Sequence, residues 1–254
     1  MDKKLEKPMR KLGLLGKNIS YSFSKTYFKR KFEDENIEGI SYENFDIQSI
    51  HLFPSIINNT KGLKGLNVTI PYKQEVLPFL DKINKKAKAI GAVNTIKITK
   101  KGKLVGYNTD YYGFSKSLEP LLKPHHKKAL ILGTGGASKA IAYSLKKLGI
   151  SYYYVSRKQS EGVTYTYESL SKSIIETHQI IINCTPLGTF PNVNDCPNIP
   201  YDGITNHHIL FDLIYNPEET KFLQHGRQQN AVTSNGLNML KLQAEKSWSI
   251  WNLG

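Results

Sequence analysis

Cysteine is scarce in this chain. Its 254 residues hold two, Cys184 and Cys196, and no Cys/His cluster has the spacing of a metal site. A disulfide scaffold and a structural zinc are therefore not expected, and no metal ion is assigned. No apolar run approaches the roughly 20 residues that a membrane span needs. The N-terminal MDKKLEKPMRK is charged and lacks the apolar centre of a secretory signal. These absences predict a soluble protein of a reducing, cytoplasmic compartment. Acids are also few: 21 Asp and Glu stand against 35 Lys and Arg, a formal net charge of +14. Such an excess suits nucleic acid, an anionic surface or anionic small molecules. The lysines are scattered, however, and no dense basic stripe or nucleic-acid motif appears. Small anionic ligands are the favoured partners, with no nucleic acid and no membrane.

What is present is organised around residues 127–158, KKALILGTGGASKAIAYSLKKLG followed by ISYYYVSRK. Apolar residues 129–132 run into Gly133. Ala137, Ala140, Ile141, Leu145 and Leu148 then recur at helical spacing, and Gly149 ends the helix. A strand rich in β-formers follows at 152–155. Gly133, Gly135 and Gly136 let backbone N–H groups and a helix N-terminus approach a pyrophosphate. An NAD site usually has an acid at the end of the second strand. Ser156, Arg157 and Lys158 stand there instead, which suits a 2′-phosphate and predicts NADP. A solvated basic turn is the plainer alternative.

Strands are predicted at 11–15, 41–45, 63–70, 93–98 and 104–107, the last two as a hairpin through Gly102. Helices are predicted at 25–36 with Ser24 as cap, at 47–57, near 73–79, at 83–90 and at 109–122. After Lys158 come a helix near 167–176, a strand at 179–183, a long polar loop at 192–206 and a strand at 209–213. A helix at 218–228, a short strand at 231–233 and an amphipathic helix at 237–251 complete the chain. Strand and helix alternate throughout, so both halves are α/β.

Four polar clusters fall where strands end, the place where α/β sheets bind ligands. Ser20, Ser22 and Ser24 with a helix N-terminus can hold a carboxylate, or Ser24 can simply cap. In GLNVTIPYK, Asn67 and Thr69 share a strand face and Lys73 follows Pro71; a lone lysine there can equally be solvated. GAVNTI places Asn94 and Thr95 at a strand start. GYNTD places Asn108 and Asp110 past another strand, with Asp110 as a plain cap the alternative.

Taken in order, these motifs resemble the shikimate dehydrogenase family over residues 14–243. YSFSK, NVTIPYK, GAVNT and NTD correspond to its substrate motifs. GTGGA, SRK and INCTPLGT correspond to its dinucleotide motifs, with Thr189 where Met is usual. DLIYNPEETKFL and NGLNMLKLQA complete the set, while Tyr21 and Lys25 replace the usual His and Pro. The resemblance implies an N-terminal α/β substrate domain, residues 1–109 with 236–254, and a Rossmann-like doubly wound NADP domain, residues 110–235. It implies reversible reduction of 3-dehydroshikimate to shikimate, in aromatic amino-acid biosynthesis, with Lys73 and Asp110 as the proton-transfer pair. Ser22, Ser24, Asn67, Thr69, Asn94, Tyr215 and Gln243 would bind substrate. Gly133, Gly135, Gly136, Ala137, Ser156, Arg157, Lys158, Thr185, Leu213, Gly236 and Met239 would bind NADP. Rival readings are a quinate/shikimate enzyme with looser cofactor choice and a non-catalytic sensor on the same fold. Retention of Lys73 and Asp110 argues against the sensor. A monomer or homodimer is expected.

Overall fold

The computed structural model describes residues 9–19 and 22–253. Ser20 and Tyr21 of the serine loop lie outside them. The chain divides into two compact units, Met1–Thr109 with Ala244–Gly254, and Asp110–Gln243.

The first unit runs β1 (Arg10–Gly16), α1 (Phe23–Asp34), β2 (Ile40–Asp46), α2 (Phe53–Asn59), β3 (Leu63–Val68), β4 (Lys82–Ile83), α3 (Lys85–Ile90), β5 (Thr95–Ile98) and β6 (Leu104–Tyr107). Among the described residues these strands form a mixed sheet in the order β2-β1-β3-β5-β6-β4. β1 is parallel to β2 and β3, and β5 is antiparallel to β3 and β6. Successive side chains of a strand face opposite sides. Leu15, Leu66 and Val68 accordingly join Phe53, Val76 and Val93 in one core, and Leu12 and Leu14 join Phe28, Phe32 and Trp251 in the other.

The second unit runs α4 (Asp110–Leu118), β7 (Lys128–Leu132), α5 (Gly136–Lys147), β8 (Ser151–Ser156), β9 (Val163–Thr166), α6 (Lys172–Thr177), β10 (Ile180–Asn183), β11 (Ile209–Asp212), α7 (Lys221–Gln228) and β12 (Val232–Ser234). It ends in the first turns of α8 (Leu237–Asn252), whose remainder belongs to the first unit. The described strands form a sheet in the order β12-β11-β10-β7-β8-β9, with every pairing parallel. Ala129 and Ile131 pack with Phe114, Ile141 and Phe211, while Leu130 and Leu132 pack with Val155, Ile175 and Phe222. The sheet is thus buried on both faces, which is why its strands read as continuous apolar runs. The chain order reverses direction at β7, which lies between β8 and β10. Such a switch point is where open α/β sheets bind ligands.

Several elements differ from the sequence expectation. α1 is capped by Ser22, whose extended backbone lets its hydroxyl accept from Lys25 N at 3.2 Å, so Ser24 sits in the first turn. The helix expected over 47–57 splits into a tight turn at Ile50–Leu52 and α2, with Pro54 in the first turn, where no donor is lost. No α-helix forms near 73–79. The Lys73 carbonyl accepts from Val93 N at 2.8 Å, and only a short turn at Leu77–Phe79 follows. The helix near 167–176 is a turn at Tyr167–Ser169 and then α6, capped by Ser171, and β9 precedes them unforeseen. The helix from residue 109 begins at Asp110 and ends at Leu118, before a tight turn carrying Pro120. Among the described residues no helix is long and apolar enough to cross a membrane.

One close approach is decisive for the first unit. The Trp251 indole crosses β3 at Gly65 to donate to Ile96 O at 2.9 Å. A Cβ at Gly65 would fall on the indole and lie 2.9 Å from Ile96 O. Gly65→Ala is therefore expected to lower stability by about 1–3 kcal/mol through overpacking. A urea midpoint equal to that of the wild type would show that the indole moves aside freely.

Candidate functional site

In the first unit three of the sequence-marked polar residues, Asn67, Asn94 and Thr95, form one buried network at the end of β3. Asn67 is 4% exposed. Its Oδ1 accepts from the Tyr42 hydroxyl at 2.8 Å, and its Nδ2 donates to Ser247 Oγ at 3.0 Å and to Asn94 O and Thr95 Oγ1 at 3.3 Å. Asn94 in turn accepts from Thr109 N at 2.6 Å and donates to Thr109 Oγ1 at 3.0 Å. Thr95 Oγ1 lies 2.8 Å from Ser247 Oγ. Each amide is held at both ends, so its orientation is fixed before any ligand arrives. Ser24 is buried beside this network. Burial pushes the Tyr42 phenol up, against a hydrogen bond with Ser24 that favours the ionised form.

Thr69 is half-buried, and its N–H donates to Leu15 O at 2.9 Å. Lys73 is half-buried and tied by its carbonyl to Val93, the residue before Asn94. Asp110 is 6% exposed and opens α4, directly after Thr109. Gln243, buried on α8, donates to Leu240 O at 3.0 Å, and Tyr215 is half-buried after β11. Sequence reasoning missed Tyr42 and Ser247. Ser247 carried a usable signal, since it lies one helical turn beyond Gln243 on the same face.

In the second unit the strand ends gather the dinucleotide motifs. Gly133 has φ +97°, and a Cβ there would lie 3.1 Å from Thr185 Cγ2, so the turn after β7 adjoins the turn after β10. Gly133 N also donates to Val155 O at 2.9 Å, tying the turn to β8. α5 starts at Gly136 after Gly135 with no side-chain cap, and a Cβ at Gly135 would meet nothing within 4 Å. A pyrophosphate can therefore reach the backbone of Gly135, Gly136 and Ala137, and the residues fit a dinucleotide. Ser156 closes β8, with Arg157 and Lys158 exposed beyond it. A Cβ at Gly236 would overlap the Leu213 carbonyl, so only glycine fits against that strand end. Met239 packs in the core with Phe114 and Phe211. Among the described residues no three His, Cys, Asp or Glu side chains gather as a metal site, and Cys184 and Cys196 are free thiols.

Asp212, the last residue of β11, is fully buried. Burial pushes its carboxyl up to about 6, against hydrogen bonds from Thr220, Ile214 N and Asn183 that favour the charged form.

The family profile described as Shikimate dehydrogenase substrate binding domain matches residues 14–96. A shikimate dehydrogenase (NADP(+)) of Clostridium beijerinckii is 43% identical over 94% of this chain and 90% of its own length. The crystal structure of shikimate dehydrogenase 1 from Peptoclostridium difficile superposes with TM-score 0.82 at 41% identity, covering 96% of this chain and 91% of that one. The shikimate 5-dehydrogenase of Thermus thermophilus, solved in complex with NADP(H) and shikimate, superposes with TM-score 0.85 at 26% identity, covering 96% and 94%.

The burial of Asp212 has a measurable consequence. Its folded-state value of about 6 lies above the ordinary 3.8, so between these values the folded protein binds more protons than the unfolded chain. Stability from this group is greatest at low pH and is lost as pH rises. The stability of the wild type relative to Asp212→Asn should fall by about 3 kcal/mol as pH climbs through this window. Urea midpoints of both proteins measure it; a difference that stays constant with pH would mean that Asp212 titrates as an ordinary carboxyl.

Proposed function

The chain belongs to the shikimate dehydrogenase family, NADP-dependent oxidoreductases that interconvert shikimate and 3-dehydroshikimate, and from that premise we propose how its own residues divide the work. Most of the substrate residues lie in the first unit, and those of NADP lie in the second. The observation that carries this reading is the anchoring of Lys73. Its carbonyl is pinned to Val93 beside Asn94, and the Asn94 side chain holds Thr109, the residue before Asp110.

Lys73 and Asp110 carry the proton. A lysine ammonium donates to the alkoxide that develops during reduction, and a neutral amine accepts the hydroxyl proton during oxidation. Asp110 accepts from a ring hydroxyl. Asn67, Thr69, Asn94, Tyr215 and Gln243 hold the ring hydroxyls. Ser22 and Ser24 take the carboxylate. Capping does not disqualify Ser22, because its oxygen accepts from Lys25 N while its own proton remains to be donated. NADP, when bound, supplies or accepts the hydride. Gly133, Gly135, Gly136 and Ala137 hold its pyrophosphate, Ser156, Arg157 and Lys158 its 2′-phosphate, and Thr185, Leu213, Gly236 and Met239 complete that side. The enzyme acts in the cytoplasm as a monomer or homodimer.

Loss of the Lys73 proton carrier should lower kcat by about 10²–10⁴-fold. Lys73→Met keeps the length and removes the charge, so it should match Lys73→Ala, with shikimate affinity changed only modestly. Asp110→Asn should also lower kcat, and the double variant should be little worse than the poorer single one. A Lys73→Met enzyme with kcat within a few-fold of wild type would reduce Lys73 to a binding residue.

The exposed pair after β8 gives a second test. Arg157→Ala should weaken NADP by roughly 10–150-fold, the loss of one charge-assisted contact, and leave NAD almost unaffected. Equal losses for both cofactors would show that Arg157 does not read the 2′-phosphate.

A further inference from the structure

Thr185, on the cofactor side, is itself held in place by a chain of buried polar groups. In the second unit the ends of β10 and β11 are joined by one chain of hydrogen bonds, which sets Thr185 beside the turn after β7. Asp212 Oδ1 accepts from Asn183 Nδ2 at 3.1 Å and from Ile214 N at 3.0 Å, and Oδ2 accepts from the Thr220 hydroxyl at 2.6 Å. All three donors are neutral. An ionised carboxylate offers acceptors only, so together with Leu187 O, to which Asn183 Nδ2 also donates at 3.4 Å, it selects which end of the Asn183 amide turns towards it. The nitrogen faces Asp212, and Asn183 Oδ1 is left to accept from Thr185 N at 3.0 Å and from the Thr185 hydroxyl at 2.6 Å. Thr185 Oγ1 then accepts from Leu187 N at 3.3 Å. The Thr185 methyl is the group that a Cβ at Gly133 would crowd at 3.1 Å. An amide turned the other way would aim its NH₂ at the Thr185 N–H and its oxygen at the carboxylate of Asp212.

We propose that Asp212 is a positioning residue for NADP: acting through Asn183, it fixes the donor and acceptor order that holds Thr185 against the glycine turn. It does not touch the cofactor. The role rests on the assignment of Thr185 to the cofactor side. Asp212 is held charged in a buried place with no cation to compensate it among the described residues, which works against stability. A residue kept only to hold the fold would do so better as a neutral isostere.

Asn183→Asp tests the chain. It sets a second carboxyl facing that of Asp212. Such a pair shares one proton at low pH and repels when both members ionise. Cys184 and Tyr201, the other titratable groups facing Asp212, are pushed up by burial and stay protonated throughout the range used. The NADP Kd of the variant, divided by that of the wild type, should therefore rise about tenfold or more between about pH 6 and about pH 9, the loss of one hydrogen bond's worth of positioning. The swapped protein, Asn183→Asp with Asp212→Asn, again sets one donor against one acceptor across the pair, although the new amide nitrogen then meets Ile214 N and the new carboxylate meets Leu187 O. It should recover part of the affinity and flatten the pH dependence, a rescue that a merely structural role does not predict. A ratio that stays flat in Asn183→Asp overturns the proposal, as does a swapped protein no better than the single variant. Should Asn183→Asp alone not fold, the swapped protein against Asp212→Asn makes the same comparison: restored affinity supports the role and unchanged affinity overturns it. Thr185→Val separates the two levels. If it binds NADP like the wild type, the cofactor assignment itself fails. If it weakens NADP while the Asn183→Asp ratio stays flat, only the positioning role fails.

Discussion

A parallel strand buried on both faces has room for polar chemistry only where it ends. Along β7 and β10 every residue from Ala129 to Leu132 and from Ile180 to Asn183 is buried, and all but the last are apolar. Asn183 at the end of β10 and Asp212 at the end of β11 are the points where the sheet changes from packing to hydrogen bonding. The mixed sheet of the first unit obeys the same constraint, with Asn67 near the end of β3 and Asn94 just before β5. In both units the chemistry is placed by topology: residues far apart in sequence meet because their strands end on one edge.

At those ends the two units use the same device in different forms. Asparagine is useful there because its amide carries a donor and an acceptor on one rigid plane. Its orientation must be chosen by neighbours, and a buried amide facing the wrong way leaves groups unsatisfied at about 1–3 kcal/mol each. In the first unit hydroxyls and backbone make the choice, Tyr42 and Ser247 for Asn67 and Thr109 for Asn94. In the second unit a carboxylate joins the backbone of Thr185 and Leu187 in making it for Asn183, and a carboxylate is less ambiguous than a hydroxyl because it cannot donate. That definiteness has a thermodynamic cost, visible in the raised pKa of Asp212.

The sequence exposed the apolar periods, the glycine turn and the strand-end polar residues, because each follows from local rules of backbone and side chain. It was less informative where tertiary contacts compete with local ones. Lys73 precedes a stretch with helical composition, yet its carbonyl is taken by Val93, 20 positions on, and the helix does not form. Ser22 and Ser24 are equally good caps by type, and only the extended backbone at Ser22 decides between them. Tyr42 looks like any apolar-face aromatic of a strand until the partner of its hydroxyl is known. Asp212 reads as an ordinary acid, since nothing local reveals that its side chain is buried and hydrogen-bonded at a strand end.

The contrast between buried amides and exposed cations also orders the two recognition tasks. A ring hydroxyl is neutral and resembles water, so it is distinguished only where water is excluded and unmatched partners are penalised. In the proposed division of work, that is the part of the rigid, buried network around Asn67 and Asn94. A phosphate is distinguished by charge, which acts across solvent and tolerates some disorder in the partner. In the same proposal Arg157 and Lys158 act while exposed at the end of β8, where the strand beneath is fixed by Tyr154, whose hydroxyl donates to Ser138 O at 3.3 Å. Salt should screen the exposed pair far more than the buried network. The wide basic excess of the chain then acts in the same direction as these two residues, drawing anions towards the surface without deciding which of them is bound.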